Sequence, residues 1–492
     1  MVANITYTAI ISRLLDPATF GLMALAQVVW LFVHVFARMG LASVVVQKPK
    51  LSRDDVRAAS TAGFAVGVAC FAVVWILAPV FSGVFHAPLL TPVLRALGVS
   101  FLFDGMAMVG IGLLRRQLRF RESSVITVVT YAFGYLVVAV GLAVLGAGVW
   151  SLVAGALVAS ISQAVWQYAL LRHPVCPVLR WKPYQEVCSY GIRLAGAHLL
   201  DYIGSSLDTF VVGRIAGMAD VGQYSRGYYL AFQPFHYYLA QALTAVLFPH
   251  LSRVQEDRAR LSRAYLSMLM LGSVVVFPVC TGVAVAAPEL VWVLLGSQWG
   301  LAAALVPWFA FAAAFSVIAA LSQTVAEARA DLNRSLVVQV AYIMVLGVSL
   351  AFAIGYRSHG IWVVAAAVFV AELLRYLGYL GLMRRVVGFS ATQFRESFAP
   401  AVLASLGVSL AMGATRWALL GQVPILLVFV AEVAAGAIAL ALCIRFCPLP
   451  GIRSELRMRL DAAGVLGPDG GLRQRLASLV IGHSKSAPGL LS

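Results

Sequence analysis

Apolar runs of about twenty residues recur along nearly the whole chain, and they limit its possible folds more than any other feature. A bilayer core of about 30 Å needs roughly 20 apolar residues per helix. A shorter run at 1–12 covers about half of such a span. The longer runs lie at 20–46, 59–82, 92–114, 123–145, 149–171, 188–215, 222–248, 265–287, 301–325, 336–356, 360–382, 398–419 and 424–444. With the short run counted as a truncated first helix, the sequence predicts an all-α polytopic membrane protein of about 14 transmembrane helices.

The composition excludes the main soluble classes. Hydrophobic residues make up 61% of the chain and charged residues 11%, whereas soluble domains are roughly 45–50% apolar and about 25% charged. A soluble enzyme and a disordered scaffold are therefore both excluded. The sequence also has no Walker loop, dinucleotide glycine fingerprint or His-Glu-x-x-His motif. Because these motifs are missing, we expect neither an enzyme nor a bound cofactor. Cys443 and Cys447 have no nearby histidine, so we expect no bound metal either.

The positive charge follows membrane topology. The 36 Lys and Arg against 20 Asp and Glu give a net charge of +16. Most basic residues fall in alternate connections and in the tail after residue 445. The positive-inside rule then predicts that both termini lie in the cytoplasm, and an even number of spans follows. Because topology explains the positive charge, we expect no nucleic-acid partner. The remaining basic residues are all arginines: Arg13, Arg38, Arg95, Arg193, Arg214, Arg226, Arg357, Arg375 and Arg416.

An internal repeat indicates a duplicated unit. Arg13 and Gly21 bracket a helix junction, and Arg214 and Gly222 bracket another with the same spacing. Transporters are often built from such repeats. The predicted organisation is an N-terminal six-helix lobe (1–187), a C-terminal six-helix lobe (188–397), an extra helix pair (398–444) and a basic cytoplasmic tail (445–492).

The same segments resemble a known family. The motifs are Ser12 to Gly21 (Ser-Arg-Leu-Leu-Asp-Pro-Ala-Thr-Phe-Gly), Leu207 to Arg214, Gly222 to Tyr228, Val246 to Gln255 and Ala287 to Trp299. In this order they resemble the O-antigen-type flippases of lipopolysaccharide and exopolysaccharide assembly. These flippases belong to the multidrug/oligosaccharidyl-lipid/polysaccharide exporter superfamily. The resemblance implies two pseudo-symmetric six-helix lobes around a central cavity. It also implies ion-coupled, alternating-access flipping of polyprenyl-pyrophosphate-linked oligosaccharide across the cytoplasmic (inner) membrane.

Polar residues within the apolar runs mark candidate sites, because a charge in the bilayer normally faces a partner or water. Gln27, His34 and Arg38 are seven and four residues apart and form one stripe on the second helix. Glu372 and Arg375 are three apart and could pair.

A second polar group lies around the start of the C-terminal lobe. Arg193, Asp201 and Asp208 share a helix face. Arg193 and Asp201 could instead neutralise each other, and Asp208 could pair with Arg214 at the helix end. Two further acidic residues, Asp104 and Glu432, have no partner at helical spacing, so the sequence assigns them no role.

Arginine suits a pyrophosphate headgroup because its forked donors match phosphate oxygens and stay charged. Buried carboxylates suit coupling to H⁺ or Na⁺. The headgroup and cavity candidates are Arg38, Arg193, His34, Gln27, Arg226, Gln233, Tyr237 and Arg375. The ion-coupling candidates are Asp201, Asp208 and Glu372.

Other functions stay open on the sequence. A peptidoglycan-precursor flippase differs only in cargo, and a drug/cation antiporter of the same superfamily would favour acidic residues in its cavity. A polysaccharide polymerase or ligase normally carries a large outer loop, which this sequence lacks. Expected partners are the lipid-linked oligosaccharide, the coupling ion, anionic lipid at the tail, and the polymerase and glycosyltransferases of the same assembly.

Overall fold

The computed structural model describes residues 2–38, 45–46, 48, 51–172, 199, 202–329, 331–355 and 360–446. Within these ranges the regular structure is helical and contains no β-strand. The predicted all-α membrane fold is confirmed.

The helices before residue 232 are α1 (Val2–Leu14), α2 (Pro17–Arg38), α3 (Arg53–Phe85), α4 (Leu90–Gly98), α5 (Ser100–Arg116), α6 (Phe120–Tyr131), α7 (Val140–Val144), α8 (Val149–Leu171), α9 (202–215) and α10 (Met218–Ala231). The later helices are α11 (Gln241–Arg253), α12 (Arg258–Val285), α13 (Ala287–Leu294), α14 (Gly300–Ala328), α15 (Leu332–Gly355), α16 (Trp362–Val386), α17 (Ala391–Leu419) and α18 (Ile425–Phe446). Two π-helical segments, Ala132–Ala139 and Pro234–Ala240, precede α7 and α11, and a 3₁₀ turn, Ser297–Trp299, precedes α14.

Eleven helical segments in the described ranges are long and apolar enough to cross a membrane. The predicted total of fourteen stays a prediction. Helix α1 has 13 residues and is about 20 Å long at 1.5 Å per residue, so it is shorter than a bilayer core. The predicted run at 92–114 is divided between α4 and α5.

The described chain divides into two compact units. Unit 1 comprises Met1–Arg226, Leu294–Leu301 and Leu350–Val364. Unit 2 comprises Gly227–Val293, Ala302–Ser349 and Ala365–Ser492. The lobe boundaries predicted from the sequence stay predictions.

Polar caps fix where several helices begin. Ser52 and Asp55 form a capping box at the start of α3, in which each side chain accepts from the other residue's backbone N–H. Ser390 and Gln393 form the same arrangement at α17. Asp257 accepts from two backbone N–H groups at the start of α12. These bonds satisfy donors that a helix cannot pair internally.

The repeated glycines pack against each other within unit 1. A Cβ atom on Gly21 would overlap the carbonyl oxygen of Met218, and one on Gly222 would overlap that of Pro17. Helices α2 and α10 therefore approach backbone to backbone at this crossing. The two halves of the repeat supply one glycine each, which gives the repeat a structural reason.

Candidate functional site

Unit 1 contains a polar cluster around His34 on α2. His34 is 5% exposed, and its Nε2 lies 3.7 Å from Asp104 Oδ2 on α5. The other carboxylate oxygen of Asp104 accepts a 2.6 Å hydrogen bond from the Ser160 hydroxyl on α8. Trp30, one turn before His34, stacks on the imidazole with ring centroids 4.3 Å apart. Asp104 thus has partners on two other helices, which spacing along its own helix could not reveal.

The residues of the predicted α2 stripe differ in their burial. Gln27 is exposed, whereas His34 on the same helix is buried. Arg38 ends α2, and its side chain lies outside the described residues. Arg193 and Asp201 also lie outside them.

Arg226 is the last residue of the first segment of unit 1 and belongs to an aromatic stack. Its Cζ is 4.0 Å from the ring centroid of Phe20, within the range of a cation–π interaction. Phe20 contacts Trp299 edge to face at 5.3 Å. The fully buried Trp299 donates from Nε1 to the Ser12 carbonyl at 2.9 Å. The predicted motifs around Ser12 and Trp299 therefore meet in one packed site.

Asp208 is buried in α9, at 3% exposure. The Tyr224 hydroxyl donates to Asp208 Oδ2 at 2.7 Å, and the Thr209 backbone N–H donates to Oδ1 at 2.6 Å. The alternative of a pair with Arg214 is not what the structure shows, because Arg214 Nη1 lies 3.4 Å from His86 Nδ1 instead. Hydrogen bonds therefore stabilise this carboxylate.

Unit 2 contains a buried network on α14, α15, α16 and the second π-helical segment. Arg375 Nη1 lies 3.3 Å from Glu372 Oε2, and the two residues are 8% and 1% exposed. The predicted pairing is confirmed. Tyr342 and Ser316 also hydrogen bond to Glu372, and the Arg375 Cζ lies 5.0 Å from the Tyr342 ring centroid. The Ser316 hydroxyl is 2.5 Å from His236 Nδ1, which extends the network to the π-helical segment.

Two further candidates lie beside this network in sequence. The Tyr237 ring contacts His236 edge to face at 4.9 Å and is half-buried. Gln233 is also half-buried. Sequence reasoning selected Tyr237 and missed His236, because the π-helical turn changes which residues share a face.

A second ionic group in unit 2 includes Glu432, to which the sequence assigned no role. Arg416 Nε on α17 lies 3.1 Å from Glu289 Oε1 on α13. Glu432 on α18 interacts electrostatically with both residues. These three residues come from separate helices, and no spacing pattern connects them.

Four arginines surround a cavity of about 430 Å³ at the ends of α12, α14, α15 and α16. It is lined by Arg258, Arg329, Asp331, Arg334, Arg385 and Val386. Arg258 donates to the carbonyls of Arg385 and Val387 at 3.1 and 3.3 Å. These bonds satisfy carbonyls at the end of α16, and the excess positive charge suits an anion.

The sequence profile of the family described as "Polysaccharide biosynthesis protein" matches residues 10–304. This range includes the repeat and the Ser12–Trp299 contact. The chain belongs to this family. The matched range also holds the His34 cluster and Asp208, whereas the Glu372 network extends beyond it.

Relatives of this family member come from several bacteria. The chain is 27% identical to "Succinoglycan biosynthesis transport protein ExoT" of Rhizobium meliloti over 60% of this chain and 59% of that protein. It is 26% identical to an "Uncharacterized membrane protein in cps region" of Klebsiella pneumoniae over 59% of this chain and 60% of that one. These two alignments therefore span about three fifths of the relatives' length. "Lipopolysaccharide biosynthesis protein WzxC" of Escherichia coli is 22% identical over 78% of each chain.

Solved transporter structures share the fold. The structure of "Lipid II flippase MurJ, inward closed conformation" superposes with a TM-score of 0.72 at 13% identity, over 90% of this chain and 95% of that one. An inward-facing multidrug resistance MATE family transporter of the MOP superfamily gives 0.63 at 15% identity, over 78% and 94%. The family member is thus a multi-pass membrane protein with a transporter fold.

Proposed function

We propose that the chain flips a polyprenyl-pyrophosphate-linked oligosaccharide from the inner to the outer leaflet of the cytoplasmic membrane. The proposal is supported by the match to a polysaccharide biosynthesis family combined with a fold similar to that of a lipid flippase. The names of the relatives, which mention succinoglycan transport and lipopolysaccharide biosynthesis, support the same cargo class. The chain then acts as a transporter rather than an enzyme, with both termini in the cytoplasm, beside the polymerase and glycosyltransferases of its assembly.

The headgroup role falls to arginines in the proposal. Arg375 is the strongest described candidate, because it is buried near the middle of a candidate membrane span and borders a polar network. A pyrophosphate would form stronger, charge-assisted hydrogen bonds with it than a neutral sugar would. Arg226 has the same role in unit 1, where Phe20 holds its guanidinium plane. Arg38 and Arg193 stay sequence-based candidates.

Ion coupling follows from the pairing of Glu372 with Arg375. When a phosphate takes the guanidinium, Glu372 loses its cationic partner inside a low-dielectric network. An uncompensated buried carboxylate is costly and takes up a proton instead. Headgroup binding and proton uptake are thereby linked at one residue pair. Asp208 is the corresponding candidate in unit 1, with hydrogen bonds in place of a cation.

A peptidoglycan-precursor flippase is the second candidate, favoured by the likeness to the lipid II flippase fold. Both cargos carry a polyprenyl pyrophosphate, so the residues above serve either one. The two candidates differ in the sugar, and only a transport assay with both cargos separates them.

The test is a flipping assay in proteoliposomes with fluorescent lipid-linked oligosaccharide, lipid II and a cationic drug. We expect the wild-type protein to flip the oligosaccharide and Arg375→Ala to lose this activity. In Glu372→Gln, flipping should persist but no longer respond to a pH gradient. Arg260→Ala is the matched control, because that arginine pairs with Asp257 on the surface and does not line the arginine-rich cavity. Drug transport without flipping would overturn the proposal, and preference for lipid II would replace its cargo.

A further inference from the structure

Three helices of unit 2 bring two carboxylates and one guanidinium together. Arg416 Nε lies 3.1 Å from Glu289 Oε1, and Arg416 Nη1 also donates to the Val285 carbonyl at 3.4 Å. Glu432 interacts electrostatically with Glu289 and with Arg416. The group lies near the connection between α17 and α18, at the opposite end of α17 from Arg395.

Both carboxylates are withdrawn from solvent. Glu289 is 1% exposed and Glu432 is 0% exposed. Among the residues that the structure describes, neither oxygen of Glu432 has a hydrogen-bond partner, and Glu289 Oε2 has none either. Unpaired buried carboxylate oxygens are rare in folded proteins because an ionised oxygen without a donor is strongly destabilising.

In the described part of the chain, the surroundings of Glu432 supply no positive charge besides Arg416. Ala286, Val408 and Met412 form an apolar cluster there, with Phe429 of α18 packed against it. The charged residues of α12 are confined to its first two turns, and those of α17 other than Arg416 lie near its start. The remaining charged residue of α18, Arg445, is at that helix's far end. The other titratable groups on these helices beyond their first two turns are Tyr265 and Cys280 on α12 and Cys443 on α18.

The charge count then decides the chemistry. Two ionised carboxylates beside one guanidinium leave one uncompensated negative charge in an apolar site. Two carboxylates that share a site cannot both ionise easily, so one retains a proton. A metal ion is a poor alternative, because the residues that the structure describes contain no group of three or more His, Cys, Asp or Glu that could hold one.

We propose that this triad of Glu289, Arg416 and Glu432 is a proton-binding site, in which Glu432 carries the proton at neutral pH. Arg416 contacts Glu289 directly, whereas neither oxygen of Glu432 has a hydrogen-bond partner among the described residues, so the proton is assigned to Glu432. Loss of the proton would place two carboxylates against one cation and weaken the packing of α18 on α17. Burial and charge balance determine this protonation, whichever cargo the protein transports.

Infrared difference spectroscopy on the full-length protein in nanodiscs tests the proposal. Raising the pH from neutral to alkaline should remove a C=O stretching band of a buried protonated carboxyl. Glu432→Gln should abolish this band, whereas the matched control Glu396→Gln, on the exposed start of α17, should retain it. If Glu432→Gln leaves every protonated-carboxyl band unchanged, Glu432 is ionised and the proposal is wrong.

A measurement on the wild-type protein covers the case in which Glu432→Gln does not fold. An apolar carbodiimide reacts with protonated carboxyl groups, and mass spectrometry of peptides locates the adduct. We expect labelling of Glu432 at neutral pH and loss of this labelling at alkaline pH. Absent or pH-independent labelling of Glu432 would overturn the proposal.

Discussion

Removing Arg375 tests how strongly the buried pair in unit 2 determines stability. Arg375→Ala would remove the cationic partner of Glu372, which is 1% exposed in the wild-type protein. Breaking a buried ion pair from one side costs about 3–5 kcal/mol, because an uncompensated charge stays in the interior. We therefore expect the free energy of unfolding to fall by about that amount. The contact with Tyr342 is lost as well, and it accounts for about 0.5–2 kcal/mol of the total.

A double variant separates the charge effect from lost packing. Replacing both members of a buried pair by apolar residues of similar volume is often neutral, so Arg375→Met with Glu372→Leu should recover most of the loss. The assay is denaturant unfolding in detergent, followed by tryptophan fluorescence. Arg334→Ala provides the exposed-pair control, with an expected cost of roughly 0–1 kcal/mol.

Two results would refute this reasoning. If Arg375→Ala costs no more than Arg334→Ala, the buried pair contributes no more than an exposed one. If the double variant is as unstable as Arg375→Ala, the loss comes from packing against Tyr342 and not from an uncompensated carboxylate. A stable double variant that does not flip lipid would instead assign Arg375 a transport role beyond folding.

Three further predictions concern single contacts. Gly222→Ala should destabilise the protein by about 1–3 kcal/mol, because the new Cβ would overlap the Pro17 carbonyl. Thermal unfolding measures this loss. The control is Gly141→Ala, which has open space at the Cβ position and should not destabilise the protein. Trp299→Phe should cost about 1–2 kcal/mol through the lost hydrogen bond to a carbonyl of α1, and a retained melting temperature would contradict this. The backbone N–H of Arg260 donates to Asp257 and holds the pKa of that carboxyl below its usual value. The cap therefore stabilises α12 above the unfolded pKa, and this contribution is lost as pH falls through the folded pKa. Asp257→Ala should lower the melting temperature at neutral pH, and the difference in melting temperature between variant and wild type should narrow in acid.

The sequence predicted features that depend on residues close together in the chain. Apolar runs identified the membrane class, since each span is one continuous segment. The Glu372–Arg375 pair was predictable because residues three apart lie on the same helix face. The start of α3 at Arg53, six residues before the predicted run, is explained by the Ser52 capping box. This run was drawn from hydropathy alone, which does not register polar caps.

Contacts between distant segments were not predictable in the same way. Asp104 and His34 are 70 residues apart, and their meeting depends on how α2 packs against α5. The same holds for Glu432, whose partners lie on α13 and α17. His236 was missed for another reason, because a π-helical segment departs from the 3.6-residue period on which face assignments rest.

The two buried ionic systems of unit 2 differ in charge balance, and this difference predicts different roles. Glu372 and Arg375 are one anion and one cation, so the pair needs no proton until something else takes the guanidinium. Glu289, Arg416 and Glu432 are two anions and one cation, so that site needs a proton in its resting state. A ligand-dependent proton therefore belongs to the first system and a resident proton to the second. Glu432→Gln should then change how stability depends on pH while leaving proton-coupled flipping intact. Glu372→Gln should abolish the coupling of flipping to protons while leaving the pH dependence of stability unchanged.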